Sequence, residues 1–143
     1  MMAVLKAGAT YFAIVYVIGF LLGTMRVFLL VPRVGETAAV LLEAPLILGA
    51  SWIVSRWSVN RFAVPTAAAP RLAMGSIAFG LLIVAETALS ILVVGTSWAE
   101  LLDVYRSIPG VIGLAAQVVF GLLPFVQALL ENRRHQNRTD SFL

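Results

Sequence analysis

Four strongly polar residues stand where the chain is otherwise almost entirely apolar: Arg26, Glu43, Glu86 and Gln117. Arg26 lies within "GTMRVFLLVPRVGE", with YFAIVYVIGFLL upstream and VFLLV directly after it. Counting along each apolar run locates the four relative to the nearest break. Arg26 precedes Pro32 by six residues, Glu43 follows Glu36 by seven, Glu86 precedes Gly95 by nine and Gln117 follows Gly110 by seven. At a helical rise of about 1.5 Å per residue, all four fall roughly 9 to 14 Å from those breaks, which lie on one and the same side when successive runs alternate in direction. If the runs are helices side by side, one layer holds a guanidinium, two carboxyls and a carboxamide. In a membrane, a charged group near a helix centre costs roughly 2.5 to 3.5 kcal/mol, so such groups face the bundle interior or a wet cavity and find partners there. The expected pairing is Arg26 with Glu43, and Glu86 hydrogen-bonded to Gln117 or Thr87. One arginine cannot neutralise two carboxylates in a low dielectric, which makes Glu86 the acid expected to hold a proton. The four form a candidate ligand or proton site. The plainer alternative is a structural ion pair, with Arg26 snorkelling toward the headgroups.

Composition names the elements that position this layer. Of 143 residues, 61% are hydrophobic and 12% charged, against roughly a quarter charged in soluble domains. Four apolar stretches, at about 10–31, 37–57, 72–94 and 111–130, each approach the ~20 residues that cross ~30 Å of hydrocarbon as a helix. A helix satisfies every backbone donor and acceptor in lipid without a partner strand. The fold class expected is all-α, a polytopic four-transmembrane-helix bundle forming a single domain over 1–143. The first run is too long for a signal-peptide core and no A-x-A site follows it, so it reads as a retained span.

Loop charges set the expected orientation. Lys6, Arg56, Arg61, Arg71, Arg133, Arg134 and Arg138 fall on one side and only Arg33 and Arg106 on the other. Seven against two is a positive-inside bias that places both termini in the cytoplasm. The outer loop "TSWAELLDVYRSIPG" sets Trp98, Leu101, Leu102 and Tyr105 at helical spacing, and Ser97 with Glu100 spells a capping box. A short outer surface helix at about 98–106 is expected. The basic tail 131–143 holds Arg133, Arg134 and Arg138, which set topology and can contact anionic headgroups.

Small residues mark the packing faces. Gly19 and Gly23 form a G-x-x-x-G step on the Arg26 face, while Gly113, Gln117, Gly121 and Pro124 share a face of the fourth run. Pro45 removes a backbone donor two residues after Glu43 and predicts a kink beside the layer. Gly19, Gly23, Pro45, Gly113 and Gly121 are therefore the expected helix-packing positions.

The segments "GTMR", "PRVGE", "LEAP", "SWIVSRW" and "RLAMG" resemble an uncharacterised family of small four-span bacterial inner-membrane proteins. The pattern runs through Arg26, Pro32, Arg33, Gly35, Glu43, Pro45, Trp52 and Arg56. The resemblance implies a bacterial inner-membrane location and no particular activity or cofactor.

Several chemistries lack their residues. There is no cysteine and one histidine, His135, so neither a metal set nor a Ser/His/Asp constellation is expected. No Gly-rich phosphate loop precedes a lysine. No catalytic residue, cofactor or nucleic-acid partner is expected. The leading functional expectation is an accessory or scaffold component that self-associates as a homo-oligomer or packs against a larger membrane complex. The alternative is a small proton-linked transporter or conductor using the Arg/Glu/Glu/Gln layer, and a membrane enzyme is the weakest of the three.

Overall fold

A computed structural model describes residues 1–140. Among them the chain is all helix: α1 (Met2–Val34), α2 (Glu36–Arg61), α3 (Ala68–Val94), a short α4 (Trp98–Arg106) and α5 (Ile108–Asp140). The four longer helices are each long and apolar enough to cross a membrane. They outrun the apolar stretches that announce them. Helix α1 starts at Met2 and α5 continues through the basic tail to Asp140, because Ala, Leu, Lys, Gln and Arg at their ends are good helix formers whether or not they are apolar. Residues 141–143 of the expected tail lie outside the described residues.

Helix α1 packs on α2 and α3, and α5 packs on the same two, so α1 faces α5 across the bundle and α2 faces α3. The chain joins α1 to α2 through Gly35 alone. Its φ of 82° lies in a region that costs other residues strain. The opposite end of the bundle, where α1 begins and α5 finishes, is called here the terminal end, and the other the Gly35 end.

Both α1 and α3 widen near the Gly35 end. From Arg26 to Leu30 the helix is π-helical, with the Val31 N–H reaching back five residues to the Arg26 carbonyl. Pro32 explains this widening. It offers no N–H to the Phe28 carbonyl and its ring would crowd that carbonyl, so the turn before it opens. Helix α3 is π-helical over Leu89–Val94 and stops at Gly95, whose N–H and that of Thr96 both return to the Ser90 carbonyl. Gly95 has φ 77°, the left-handed conformation of a glycine helix stop.

The buried core lies toward the terminal end. Val4, Ala7, Tyr11 and Val15 of α1 meet Val59 of α2, Met74, Ala78 and Leu82 of α3, and Phe120 of α5. Glycines allow this closeness. A Cβ on Gly75 would strike the Gly121 carbonyl, one on Gly121 would lie 3.0 Å from the Phe79 Cβ, and one on Gly8 would lie 2.9 Å from the Met74 carbonyl. The Tyr11 hydroxyl donates to the Phe120 carbonyl at 2.9 Å, and the two rings stack with centroids 4.5 Å apart. This contact spans the α1–α5 diagonal and plugs the bundle. Past Val15 in α1, past Leu82 in α3 and before Phe120 in α5, no residue of these helices is buried. Toward the Gly35 end α1 and α2 stay in contact and bury Ala39, but a void opens between the four helices.

Two expected packing positions differ from the sequence reading. Pro45 is exposed: at about 100° per residue it sits some 200° around α2 from Glu43, so a residue that aims Glu43 inward aims the proline outward. Helix α2 nevertheless runs as one helix through it. Gly113 has no atom within 4 Å of where its Cβ would stand, so it borders open space rather than a neighbouring backbone. Gly19 and Gly23 are intermediate, their nearest contacts being the Ile47 Cδ1 at 3.6 Å and the Glu43 Oε1 at 4.0 Å.

Candidate functional site

Separation of the helices leaves a cavity of about 440 Å³ toward the Gly35 end, floored by Val15, Ser51, Leu82 and Phe120. Arg26, Glu43, Glu86 and Gln117 all line it, each from a different helix. They meet in two pairs. Arg26 Nε lies 2.5 Å from Glu43 Oε2, joining α1 to α2. The Nε–H does not point along that line, so the contact is a salt bridge rather than a straight hydrogen bond. The Gln117 amide donates from Nε2 to Glu86 Oε2 at 2.5 Å, joining α5 to α3. The Gln117 Oε1 is buried without a partner among the described residues.

The Arg26 and Glu43 side chains keep 25% and 17% of their surface exposed. They stand on the wall of a void, not in packed core, and the π-helical turn that begins at Arg26 contributes to that void. A π turn places one extra residue per turn, which rotates everything beyond it relative to the α-helical face below.

The short helix α4 closes part of the mouth. Ser97 Oγ accepts the Glu100 N–H and the Glu100 carboxylate accepts the Ser97 N–H at 2.8 Å, completing the capping box. The donated Ser97 backbone N–H, and then its hydroxyl, hold the Glu100 carboxyl below the usual range. Leu101 is buried and Tyr105 half-buried, and both line the cavity. Burial, and then the nearby Glu86 carboxyl, push the Tyr105 phenol up, while the Thr87 hydroxyl acts in the opposite direction. Ser107 then turns the chain into α5, accepting the Gly110 N–H at 3.1 Å.

A second polar cluster holds the terminal end and was not read from the sequence as a unit. Arg71 is almost fully buried. It donates from Nε to the Pro65 carbonyl at 3.0 Å and from Nη2 to Glu131 Oε2 at 3.2 Å. Ser55 Oγ donates to Gln127 Oε1 at 2.9 Å, and Gln127 Nε2 donates to the Trp52 carbonyl at 2.9 Å. Arg71 appears in the sequence as a loop charge and Gln127 as a residue near the end of an apolar run. Their partners lie 60 or more positions away, and no local spacing announces such a pair. Arg133, Arg134 and Arg138 are exposed on the last turns of α5. Among the described residues no three of His, Asp and Glu gather as a metal set.

No protein-family model, curated protein or solved structure matches this chain.

Proposed function

We propose that this chain is a small integral protein of a bacterial inner (cytoplasmic) membrane, with both termini cytoplasmic, whose cavity takes up a small ligand in exchange for a proton. The observation that carries this reading is the shape of the bundle. It is plugged by Tyr11 and Phe120 at one level, yet opened above that level into a void whose walls carry both polar pairs. A bundle needing only four spans has no reason to hold apart the halves of its helices that bear its charges. Closing them over an ion pair would be enough to fix helix register. Glu86 is the proton carrier, because Arg26 already neutralises Glu43. The seven-to-two distribution of Lys and Arg supports the orientation, which turns the cavity toward the periplasm.

A second reading, an accessory or scaffold component that self-associates or packs against a larger membrane complex, draws on Gly49 and Gly80. Both are exposed, with open space beyond their missing Cβ, and a neighbouring helix can approach closely at such positions.

The absence of cysteine makes the test clean. Single cysteines at Gly113 and Leu89 on the cavity wall should react with a membrane-impermeant charged thiol reagent added from the periplasmic side, while one at the outward-facing Val118 should not. In the infrared spectrum, the protonated-carboxyl stretching band should vanish in Glu86→Gln. Labelling of all three positions alike, or a band indifferent to Glu86, overturns the proposal.

A further inference from the structure

The charges on the cavity wall narrow the class of ligand, and the argument rests on the ligand-cavity reading above. Four ionisable side chains other than tyrosine border the void: Arg26, Glu36, Glu43 and Glu86. Three carboxyls thus face one guanidinium, and that guanidinium is taken, with its Nε 2.5 Å from Glu43 Oε2. An anion would have to displace Glu43 and then sit beside the remaining carboxyls. A cation meets no such barrier. Even with one carboxyl protonated, the wall is still short of positive charge.

The rest of the lining decides what kind of cation. Calcium and magnesium ions demand about six or more oxygen ligands, whereas one oxygen of Glu86 is already bound by Gln117, Glu43 is held by Arg26 and much of the surrounding wall is Ile47, Leu48, Leu89 and Leu114; zinc favours imidazole and thiolate ligands, and neither histidine nor cysteine lines the cavity. Aliphatic walls suit a weakly hydrated organic cation. Tyr16, Tyr105 and Phe120 add ring surfaces, which attract an ammonium held over their faces. A volume of about 440 Å³ accommodates a molecule of roughly ten to fifteen heavy atoms within the ~300–1,000 Å³ range of small-molecule sites.

We propose that the cavity binds a monovalent organic cation, an amine or quaternary ammonium bearing one aromatic or branched aliphatic group, with the Glu86 carboxylate steered by Gln117 as its counter-charge. Binding and protonation then compete for one oxygen pair: the cation enters as the O–H bond of Glu86 breaks and its proton leaves to water, so the net charge of the site is unchanged. The groups facing Glu86 are Tyr16 and Arg26 from α1, Glu36 and Glu43 from α2 and Tyr105 from α4, while α5 supplies the uncharged Gln117. None of the other carboxyls is hydrogen-bonded to a carboxamide among the described residues, and Glu43 is committed to Arg26. The exchange is therefore assigned to Glu86.

The test is calorimetric titration of the full chain in lipid nanodiscs, with empty nanodiscs as the blank. Benzyltrimethylammonium is the probe, 2,2-dimethylpropylbenzene its uncharged isostere and benzenesulfonate the anion of similar size. The cation should bind saturably and release about one proton, read from the difference between buffers of unlike ionisation enthalpy. Glu86→Gln should weaken it about tenfold or more and abolish the proton release. Gly113→Leu, which fills the void without touching a charge, should also weaken it, and the outward-facing Val118→Ala should not. Equal binding of the isostere or the anion, or undiminished binding by Glu86→Gln, overturns the assignment. An anion that binds and is lost in Gly113→Leu would refute the cation while leaving the cavity a ligand site; failure of the cysteine labelling would remove the cavity reading itself.

Discussion

The Arg26–Glu43 contact offers the sharpest energetic test. At 2.5 Å and an effective dielectric of about 20, two unit charges attract by roughly 7 kcal/mol before any desolvation cost. Desolvation returns most of that. Removing one partner of a buried pair typically costs about 3 to 5 kcal/mol, because the survivor is left uncompensated. The 25% and 17% residual exposures let water reach both groups, so the lower end, about 3 kcal/mol, applies to Arg26→Met. Glu43→Gln should cost less, since a carboxamide still accepts from the guanidinium. The double variant leaves no stranded charge and should recover about 2 kcal/mol of the summed losses, within the range seen for residues in direct contact. The assay is reversible unfolding in mixed micelles of a mild detergent and sodium dodecyl sulfate, followed by circular dichroism. Losses that add to within about 0.5 kcal/mol would show that the two side chains do not sense each other. Arg26 would then be no more than a cation reaching for the headgroups.

Two further outcomes follow from local geometry. Gly121→Ala and Gly75→Ala should destabilise the bundle, whereas Gly23→Ala, whose nearest contact is the Glu43 Oε1 at 4.0 Å, should be close to neutral in the same micelle titration; equal losses would place the tight seam elsewhere. The capping box of α4 should weaken in acid. Glu100 has its folded value depressed, so its contribution is fully present above the ordinary glutamate value of about 4.3 and is lost as pH falls through the folded value. Amide exchange at Glu100 and Leu101 should accelerate, relative to a Ser97→Ala variant that lacks the cap, as pH drops through that window, and a pH-independent ratio would contradict it.

What was legible in the sequence is what depends on local count. Four apolar runs of helical length predict four long helices, and the 1.5 Å rise puts Arg26, Glu43, Glu86 and Gln117 at one level; in the structure they stand on one cavity wall, in two pairs. Features that depend on which faces meet were not legible. Arg71 with Glu131 and Ser55 with Gln127 join residues 60 and 72 positions apart, and no periodicity within one helix encodes a partner on another. The π-helical turns were missed for a different reason. A pattern read at a constant 3.6 residues per turn assumes the face never rotates, and Pro32 breaks that assumption six residues after Arg26.

The placement of small residues along α3 and α5 ties these points together. Gly75 and Gly121 bring α3 and α5 into contact toward the terminal end, and the same helices carry Glu86 about three turns beyond Gly75 and Gln117 about one turn before Gly121. Two helices touching at one point and crossing at the usual ~20° to 50° must diverge with distance from it. A glycine at 113 therefore cannot close the gap that a glycine at 121 closes, however similar the two look in sequence. The polar pair bridges the separation because a glutamate and a glutamine are long enough to reach across it. Shortening that bridge by Glu86→Asp should loosen the walls, seen as faster labelling of a cysteine at Leu89, whereas Glu86→Gln, which keeps the reach, should leave the rate unchanged. Identical rates in both variants would mean that the crossing of the helices alone, and not the bridge, sets the width of the cavity.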